Sequence, residues 1–418
     1  MSLAADLLTR LRFGAGFGRS RVLAYGGIAL ALELALFVFL IAGTHGLIVP
    51  LQQPTTTDFA SFYAAGDLAD AGTPALAYDQ AAHYAAEQRA TAPGINYQFF
   101  YYPPIFLMLC AALARLPYLL AFVVFEAATL LFYLSVARKI LRDESWAVIV
   151  PLLAFPSVFW TLGLGQNAFL TAALFGAALM LVDRRPILSG ILFGFLAYKP
   201  HFGLLIPIAL AAGGRWRSFG AAAGSALALV LMSLLWFGAD TWRDYLTLAI
   251  GSPATYENGR IDFAGFVSPF GAARLLGTSP VAAYAVQGVA AGLAACFVAY
   301  VWRRKLSLPL RAATLAAGTL AAMPVVLLYD LMTAAVAALW LIRAGREQGF
   351  LLWEKTGLAA LFLVPLFSRD LGTASHVPLA PLALMALLTL IGMRLRHELG
   401  HPITVVRPAP RIAKSALS

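Results

Sequence analysis

The sequence predicts an all-α protein that crosses a membrane many times. Hydrophobic residues make up 61% of the 418-residue chain and charged residues only 12%, about half the charged fraction of a typical soluble domain. Long apolar runs follow one another without a polar linker, so the units of this chain are membrane spans rather than soluble domains. An ordinary soluble enzyme is therefore excluded.

The positions of the basic residues predict the topology. Of the 30 Lys and Arg residues, 23 fall in short clusters between apolar runs, and such clusters stay in the cytoplasm. Every basic cluster lies on the cytoplasmic side if about twelve transmembrane helices cross the membrane and both termini lie in the cytoplasm. The predicted crossings lie near residues 22–43, 118–139, 146–162, 167–182, 187–199, 201–214, 218–238, 281–302, 312–328, 331–343, 356–368 and 377–393.

Several predicted crossings are too short to span a bilayer alone. They have about 13 residues, whereas a hydrocarbon core of about 30 Å needs roughly 20 residues at 1.5 Å each. Because exposed backbone is not tolerated in lipid, we expect hairpins whose tips lie in a cavity shielded by other helices.

The same map makes the outer face the chemically rich one. It leaves 7 basic and 11 acidic residues outside, together with two larger loops, residues 44–117 and 239–280. A pore or carrier has little use for this asymmetry, whereas an enzyme that works at the outer surface needs it. The net charge of +10 is therefore a topology signal and does not indicate a nucleic-acid partner.

The first outer loop is expected to carry two surface helices. Apolar side chains from Phe59 to Gly66 follow the i, i+3, i+4, i+7 spacing of one helix face, which is typical of an amphipathic helix along the membrane surface. A second helix is expected over residues 81–90. The apolar segment that ends at Leu116 is placed as a re-entrant or interfacial helix, because a full crossing there would put the next basic cluster outside.

Asp58 lies at the start of the first of these helices. An aspartate in this position often caps the helix by accepting a hydrogen bond from the first turn. A carboxylate that an acceptor hydroxyl can reach from water is also what a general base requires. The two roles are compatible only if one oxygen stays free.

Five short segments occur in the order and spacing of a known group of enzymes. They are residues 57–66 (Thr-Asp-Phe-Ala-Ser-Phe-Tyr-Ala-Ala-Gly), 76–79, 102–104, 165–167 and 198–201. Together they resemble glycosyltransferase family 87 over roughly residues 55–220, and beyond about residue 240 the likeness is little more than hydropathy. The resemblance implies a GT-C fold and the transfer of a sugar, typically mannose or arabinofuranose, from a polyprenyl-phosphate carrier.

The resemblance also implies roles for individual residues. In that family the acidic residue early in the first outer loop is the presumed catalytic base, and it matches Asp58. Tyr102, in the matched Tyr-Pro-Pro segment, is expected to contact the substrate. No separate cofactor is implied, because the polyprenyl-phosphate sugar is itself the donor substrate.

Lys199 and His201 lie at the tip of one short hairpin. A lysine between apolar segments is costly unless it faces a cavity and a counter-ion, so we expect Lys199 to bind the donor phosphate. The alternative is that Lys199 snorkels to the outer surface. His201 is a candidate for the same phosphate or for the sugar, with a structural role as its alternative.

Four further residues are candidates for substrate binding. Gln166 and Asn167, at another hairpin tip, suit sugar hydroxyls, with helix capping as the alternative. Arg260 and Arg369 are phosphate candidates unless they pair with a neighbouring carboxylate such as Glu257 or Asp370. No metal site is predicted, since the outer face has no His, Cys and Asp cluster at ligand spacing.

Two other classes of membrane protein are compatible with twelve spans. A secondary transporter would contain an internal repeat, and the two halves of this chain show none on comparison. A lipid-carrier flippase would tolerate the loss of Asp58. We expect instead an enzyme of a bacterial-type inner membrane whose periplasmic active site takes a lipid-linked donor and a glycolipid or glycan acceptor.

Cysteine labelling tests this topology. In a variant without Cys110 and Cys296, a cysteine at Gln80 should react with an impermeant thiol reagent added from outside, because residue 80 lies in the first predicted outer loop. A cysteine at Lys305, in a predicted cytoplasmic cluster, is the control and should react only after the membrane is opened. Protection of residue 80 would overturn the map.

Overall fold

Helices make up nearly all of the structure. The computed structural model describes residues 3–42, 58–252, 257, 262–401 and 405–406. The α-helices in these parts are α1 (Leu3–Phe13), α2 (Arg19–Ala42), α3 (Phe59–Asp70), α4 (Gln80–Ala90), α5 (Pro104–Ala114), α6 (Tyr118–Leu141), α7 (Ile149–Leu153), α8 (Pro156–Leu164), α9 (Ala168–Leu181), α10 (Pro186–Phe195), α11 (Ile206–Ala212), α12 (Trp216–Gly251), α13 (Pro269–Leu275), α14 (Pro280–Arg303), α15 (Leu308–Ala322), α16 (Leu331–Gln348), α17 (Glu354–Ser375) and α18 (Leu379–Glu398). Short 3₁₀ turns lie at Pro74–Tyr78, Trp146–Val148, Leu196–Tyr198, Pro200–Gly203, Phe263–Gly265 and Leu328–Asp330. Two strands of two residues, β1 (Phe350–Leu351) and β2 (Val405–Val406), pair antiparallel.

Seven of the described helices are long and apolar enough to cross a membrane, namely α2, α6, α12, α14, α16, α17 and α18. Helices α7 and α8 form a pair bent by 68°, which makes an eighth span if the pair is counted as one. Shorter apolar helices include α5, α9 and α15. The expectation of an all-α polytopic membrane protein is therefore confirmed.

Every predicted crossing contains a helix, but two of the short ones are longer than expected. Helix α16 has 18 residues and α17 has 22. The latter continues past Pro365 to Ser375, so Arg369 lies within a helix and not in an outer loop. Helices α10 and α11 are short, with 10 and 7 residues.

Helix α12 extends beyond the predicted end of its crossing. The crossing was expected to end near residue 238, and the helix bends at that position, where Gly238 has φ 82° and ψ 169°. Residues with a Cβ rarely adopt this conformation. The helix then continues to Gly251, so the second predicted outer loop begins with helical structure.

Some of the short apolar helices lie inside the bundle. Every residue of α15 from Pro309 to Ala322 is buried, as are 11 of the 14 residues of α9. Helix α16 packs against both of them, whereas α2 is almost entirely exposed on the outside. The burial of α9 and α15 agrees with the expectation that short segments are shielded by neighbouring helices.

The two helices expected in the first outer loop are present, but α3 does not lie on a surface. Nine of its twelve residues are buried. Helix α5 crosses α3 so closely that a Cβ on Gly66 would lie 2.1 Å from the carbonyl oxygen of Cys110. Ala60 and Ala64 are buried small residues of α3 that permit its close packing against neighbouring helices.

A methyl group at Gly66 should destabilise this helix crossing. Gly66→Ala places its Cβ against the backbone of α5, and overpacking of this kind costs about 1–3 kcal/mol. Gly224→Ala in α12 is the matched control, because no atom lies within 4 Å of its added Cβ. The check is the thermal unfolding midpoint of each variant in detergent, and equal midpoints would show that the crossing is not tight.

Candidate active site

Segments far apart in the chain meet at Asp58. Its side chain makes no hydrogen bond to the first turn of α3, so it does not cap that helix. Instead the Oδ2 atom of Asp58 accepts a hydrogen bond of 2.6 Å from Nε2 of Gln166. Asp58 as a whole residue is half-buried.

A glycine turn between α8 and α9 brings Gln166 to this position. Gly165 ends α8 with φ 66°, in the left-handed region that favours glycine. A Cβ on Gly165 would also lie 2.5 Å from the Cβ of Phe59. The turn therefore lies directly against Phe59, the first residue of α3. Gln166, the residue after Gly165, reaches the carboxylate of Asp58.

The side-chain amide of Gln166 is anchored at both ends. Its Nε2 donates to Asp58, while Oε1 accepts from the hydroxyl of Tyr102 and from the N–H of Asn167, each at 3.3 Å. The ring of Tyr102 packs edge-on against Phe62, 5.2 Å between centroids. These contacts fix the direction in which the amide nitrogen of Gln166 points.

The surroundings of Asp58 favour proton uptake. Burial raises the pKa of Asp58, and this effect is opposed by the hydrogen bond from Gln166 and by the positive charge of Lys199. A general base works best when its pKa lies near the operating pH. A raised pKa therefore suits a carboxylate that accepts a proton.

Lys199 is buried beside a counter-ion. Its Nζ lies 2.7 Å from Oδ1 of Asp330 and 3.4 Å from Oδ1 of Asn167. The side chains of Lys199 and Asp330 are only 5% and 3% exposed. The rings of Phe202 and Tyr329 lie 4.8 and 5.3 Å from Nζ, so Lys199 does not snorkel to the surface.

Sequence reasoning gave Asp330 no role. It is the only acidic residue between Asp262 and Glu347, and a lone carboxylate in a long apolar stretch calls for a buried partner. Its Oδ2 accepts from the N–H of Leu327 at 3.1 Å, which fixes the carboxylate in the turn before α16. The isolation of Asp330 in the sequence was the signal that could have identified it as the counter-ion of Lys199.

The predicted residues on two hairpin tips belong to one polar network. Asp58 is bonded to Gln166, Gln166 to the backbone of Asn167, and the side chain of Asn167 to Lys199. Asn167 is fully buried and does not cap α9. Its side chain also lies against the hydroxyl of Tyr102, so Asn167 connects the tyrosine to the lysine.

The remaining candidates lie at the edge of this network or apart from it. His201 is exposed, with its ring 5.2 Å from that of Phe202. Arg369 pairs with a carboxylate, as the alternative held, but the partner is Asp262 at 3.3 Å. Arg260 lies outside the described residues. Within the described part of the chain, no group of three or more His, Cys, Asp or Glu could hold a metal ion.

A polytopic helical bundle that holds a carboxylate of raised pKa and a charge-compensated lysine in one network is suited to acid–base chemistry at a membrane. The sequence model of glycosyltransferase family 87 matches residues 100–328, more than half of the chain. The chain therefore belongs to this family, which consists of polyprenyl-phosphate-dependent glycosyltransferases of the GT-C type. It has no significant match among the curated proteins or the solved structures.

The matched region differs from the range that the sequence resemblance indicated. It begins at residue 100 rather than near 55, and it reaches residue 328 rather than ending near 220. Tyr102, Gln166 and Lys199 lie inside it, whereas Asp58 precedes it. The hydrogen bond from Gln166 connects Asp58 to the residues of the matched region.

The loss of one partner of the Lys199–Asp330 ion pair should destabilise the fold more than the loss of both. Lys199→Met and Asp330→Leu each leave one buried charge without its partner, which costs about 3–5 kcal/mol. The double variant removes both charges, and its thermal unfolding midpoint in detergent should be closer to that of the wild type than either single variant. A single variant as stable as the wild type would contradict this role.

Proposed function

We propose that the chain transfers a sugar, mannose or a pentose, from a polyprenyl-phosphate donor to a hydroxyl group of a lipid or glycan acceptor, with Asp58 as the general base. The observation that carries this proposal is the orientation of the Asp58 carboxylate by Gln166 at 2.6 Å, within a network that also contains Lys199. Membership of a glycosyltransferase family supplies the reaction class.

In the proposed step Asp58 takes the proton of the acceptor hydroxyl while the hydroxyl oxygen attacks the anomeric carbon. The bond between that carbon and the phosphate oxygen breaks, and its electron pair leaves with the polyprenyl phosphate. The transition state has oxocarbenium character, as in other glycosyl transfers. Gln166 occupies Oδ2 of Asp58, so we assign proton uptake to Oδ1.

Lys199 is the proposed partner of the donor phosphate. A lysine ammonium has three N–H donors, and the described residues use two of them, on Asp330 and Asn167. The third can reach a phosphate oxygen. His201, two residues further on and exposed, is a second candidate for the phosphate or the sugar, and the amides of Gln166 and Asn167 are candidates for sugar hydroxyls.

Charge balance argues for further cations at the phosphate. The charge of Lys199 is already compensated by Asp330, so a phosphodiester would add an uncompensated negative charge. Arg260 is one candidate, and Arg369 is a second that would exchange its bond to Asp262 for the donor phosphate. Asp262, the partner of Arg369, follows Arg260 by two residues in the chain.

A lipid-linked donor suits this architecture. The prenyl chain stays in the bilayer while its sugar phosphate reaches the interface, so the proposed site faces the periplasm of a bacterial inner membrane. The proposed topology has twelve membrane crossings, with both termini in the cytoplasm. A secondary transporter or flippase is not favoured, because the family match is to an enzyme.

Asp58→Asn should abolish most of the transfer, because the amide keeps the shape of the carboxylate but cannot accept the proton. A general base contributes about 10²–10⁴-fold, so a loss of at least about 10²-fold is expected. The measurement is label transfer from polyprenyl-phosphate mannose, and in parallel from polyprenyl-phosphate arabinofuranose, into the lipid and glycan fractions of membranes that contain the full chain.

Asp67→Asn on the same helix is the control for this substitution. Asp67 is half-exposed, and its carboxylate pairs with the exposed Arg89 at 3.4 Å, so wild-type transfer is expected. Wild-type transfer by Asp58→Asn would refute the proposed mechanism. Failure of the unaltered protein with both donors would refute the proposed donor class.

A further inference from the structure

Two titratable residues of α4 form a buried pair close to Asp58. His83 and Glu87 are one helical turn apart, and both side chains are 0% exposed. Nδ1 of His83 lies 3.7 Å from Oε1 of Glu87. The pair lies outside the region matched by the family model, which begins at residue 100, and no step of the proposed transfer uses it.

His83 fixes the first turn of α3. Its Nε2 lies 3.0 Å from the carbonyl oxygen of Ser61, and a carbonyl can only accept, so Nε2 carries the proton and donates. The N–H of Ser61 in turn donates to the carbonyl oxygen of Asp58 at 3.1 Å. His83 therefore holds the short stretch of backbone that carries the proposed base.

Glu87 fixes the segment that carries Tyr102. Its Oε2 accepts a hydrogen bond of 3.1 Å from the N–H of Gln98, four residues before Tyr102 in the chain. The hydroxyl of Tyr102 donates to Gln166, which is bonded to Asp58. The Asp58 carboxylate is thus positioned in two ways: His83 holds the backbone of Asp58, and Glu87 holds the segment whose Tyr102 bonds Gln166.

Burial favours the uncharged form of both residues. It raises the pKa of Glu87 to about 8, against the hydrogen bond from Gln98 and with the help of the negative charge of Asp58. It lowers the pKa of His83 to about 4, against the carbonyl of Ser61. Among the described residues, the Tyr97 phenol from the segment after α4 also faces Glu87, and burial raises the pKa of Tyr97, so this phenol is neutral at pH 7.

Polar atoms around the pair remain unpartnered within the described residues. They are Nδ1 of His83, Oε1 of Glu87 and the hydroxyl of Ser61. An unpaired buried charge at this point would be far more costly than these neutral groups. The geometry therefore fits a protonated Glu87 whose O–H faces Nδ1 of His83.

We propose that His83 and Glu87 are positioning residues of the active site: as an uncharged pair they hold the start of α3 and the Tyr102 segment so that the Asp58 carboxylate stays against Gln166. The inference rests on the proposed role of Asp58 as the base. The fold favours neutral His83 and protonated Glu87, so the uncharged pair exists between about pH 4 and pH 8; it is lost as the pH falls through about 4, where His83 takes up a proton, and as the pH rises through about 8, where Glu87 loses one.

Paired variants of Glu87 test the inference. Glu87→Gln keeps an oxygen for the N–H of Gln98 and an uncharged donor toward His83, so we expect near wild-type transfer at pH 7. Its activity should also persist above pH 8, where that of the unaltered protein falls. Glu87→Ala removes both groups and should lower kcat about tenfold or more, because small misplacements of a catalytic group are costly, while KM for polyprenyl-phosphate mannose stays within about twofold.

His83 provides the second half of the test. His83→Gln retains an N–H donor toward Ser61 and should restore much of the activity that His83→Phe loses. Ala85→Gln, at an exposed position of the same helix, is the control and should match the wild type. An infrared band of a protonated carboxylic acid that is lost in Glu87→Gln would report the neutral state of Glu87 without relying on activity.

The outcomes separate this inference from the proposed function. Wild-type transfer by Asp58→Asn refutes the base itself. If Asp58→Asn is inactive while Glu87→Ala and His83→Phe keep wild-type kcat, only the positioning role is refuted. A Glu87→Gln variant as inactive as Glu87→Ala, or one with the alkaline decline of the wild type, would show that the uncharged pair is not what orients Asp58.

Discussion

Lys199 and Asp330 have to stay together, because neither charge is tolerated alone away from water. Their contact of 2.7 Å joins positions 131 residues apart in the chain. It connects the hairpin tip before α11 to the turn before α16. The same turn is tied to the segment before α13 by the N–H of Val267, which donates to the carbonyl of Val326 at 2.8 Å. One ion pair thus links the polar network around Asp58 and Gln166 to the second half of the chain.

Much of the fold and part of the site could be predicted from the sequence. Apolar runs and basic clusters located the helices, and the likeness at Gln166, Asn167 and Lys199 identified side chains that do meet. Asp330 was not identified as their partner, because a contact across 131 residues leaves no periodic pattern. The burial of α3 was also missed, since alanine and glycine suit a lipid-facing side and a tightly packed side equally well.

The site combines two parts of the chain that differ in their relation to the family. Tyr102, Gln166 and Lys199 belong to the region that the family model matches, whereas Asp58 stands on a helix before it. The two parts meet where Gly165 touches Phe59. A substitution that lifts α3 from that turn would separate the proposed base from its hydrogen-bond partner without altering any residue of the matched region.

The complete burial of α15 has a consequence for how the protein is made. Within the finished bundle its residues from Pro309 to Ala322 face other helices, and they include the polar side chains of Arg311, Thr314 and Thr319. A segment of this polarity is a poor substrate for insertion into lipid by itself. We therefore expect its entry into the bilayer during synthesis to depend on α14 and α16, the neighbours that pack against it, so that these helices insert together rather than one by one.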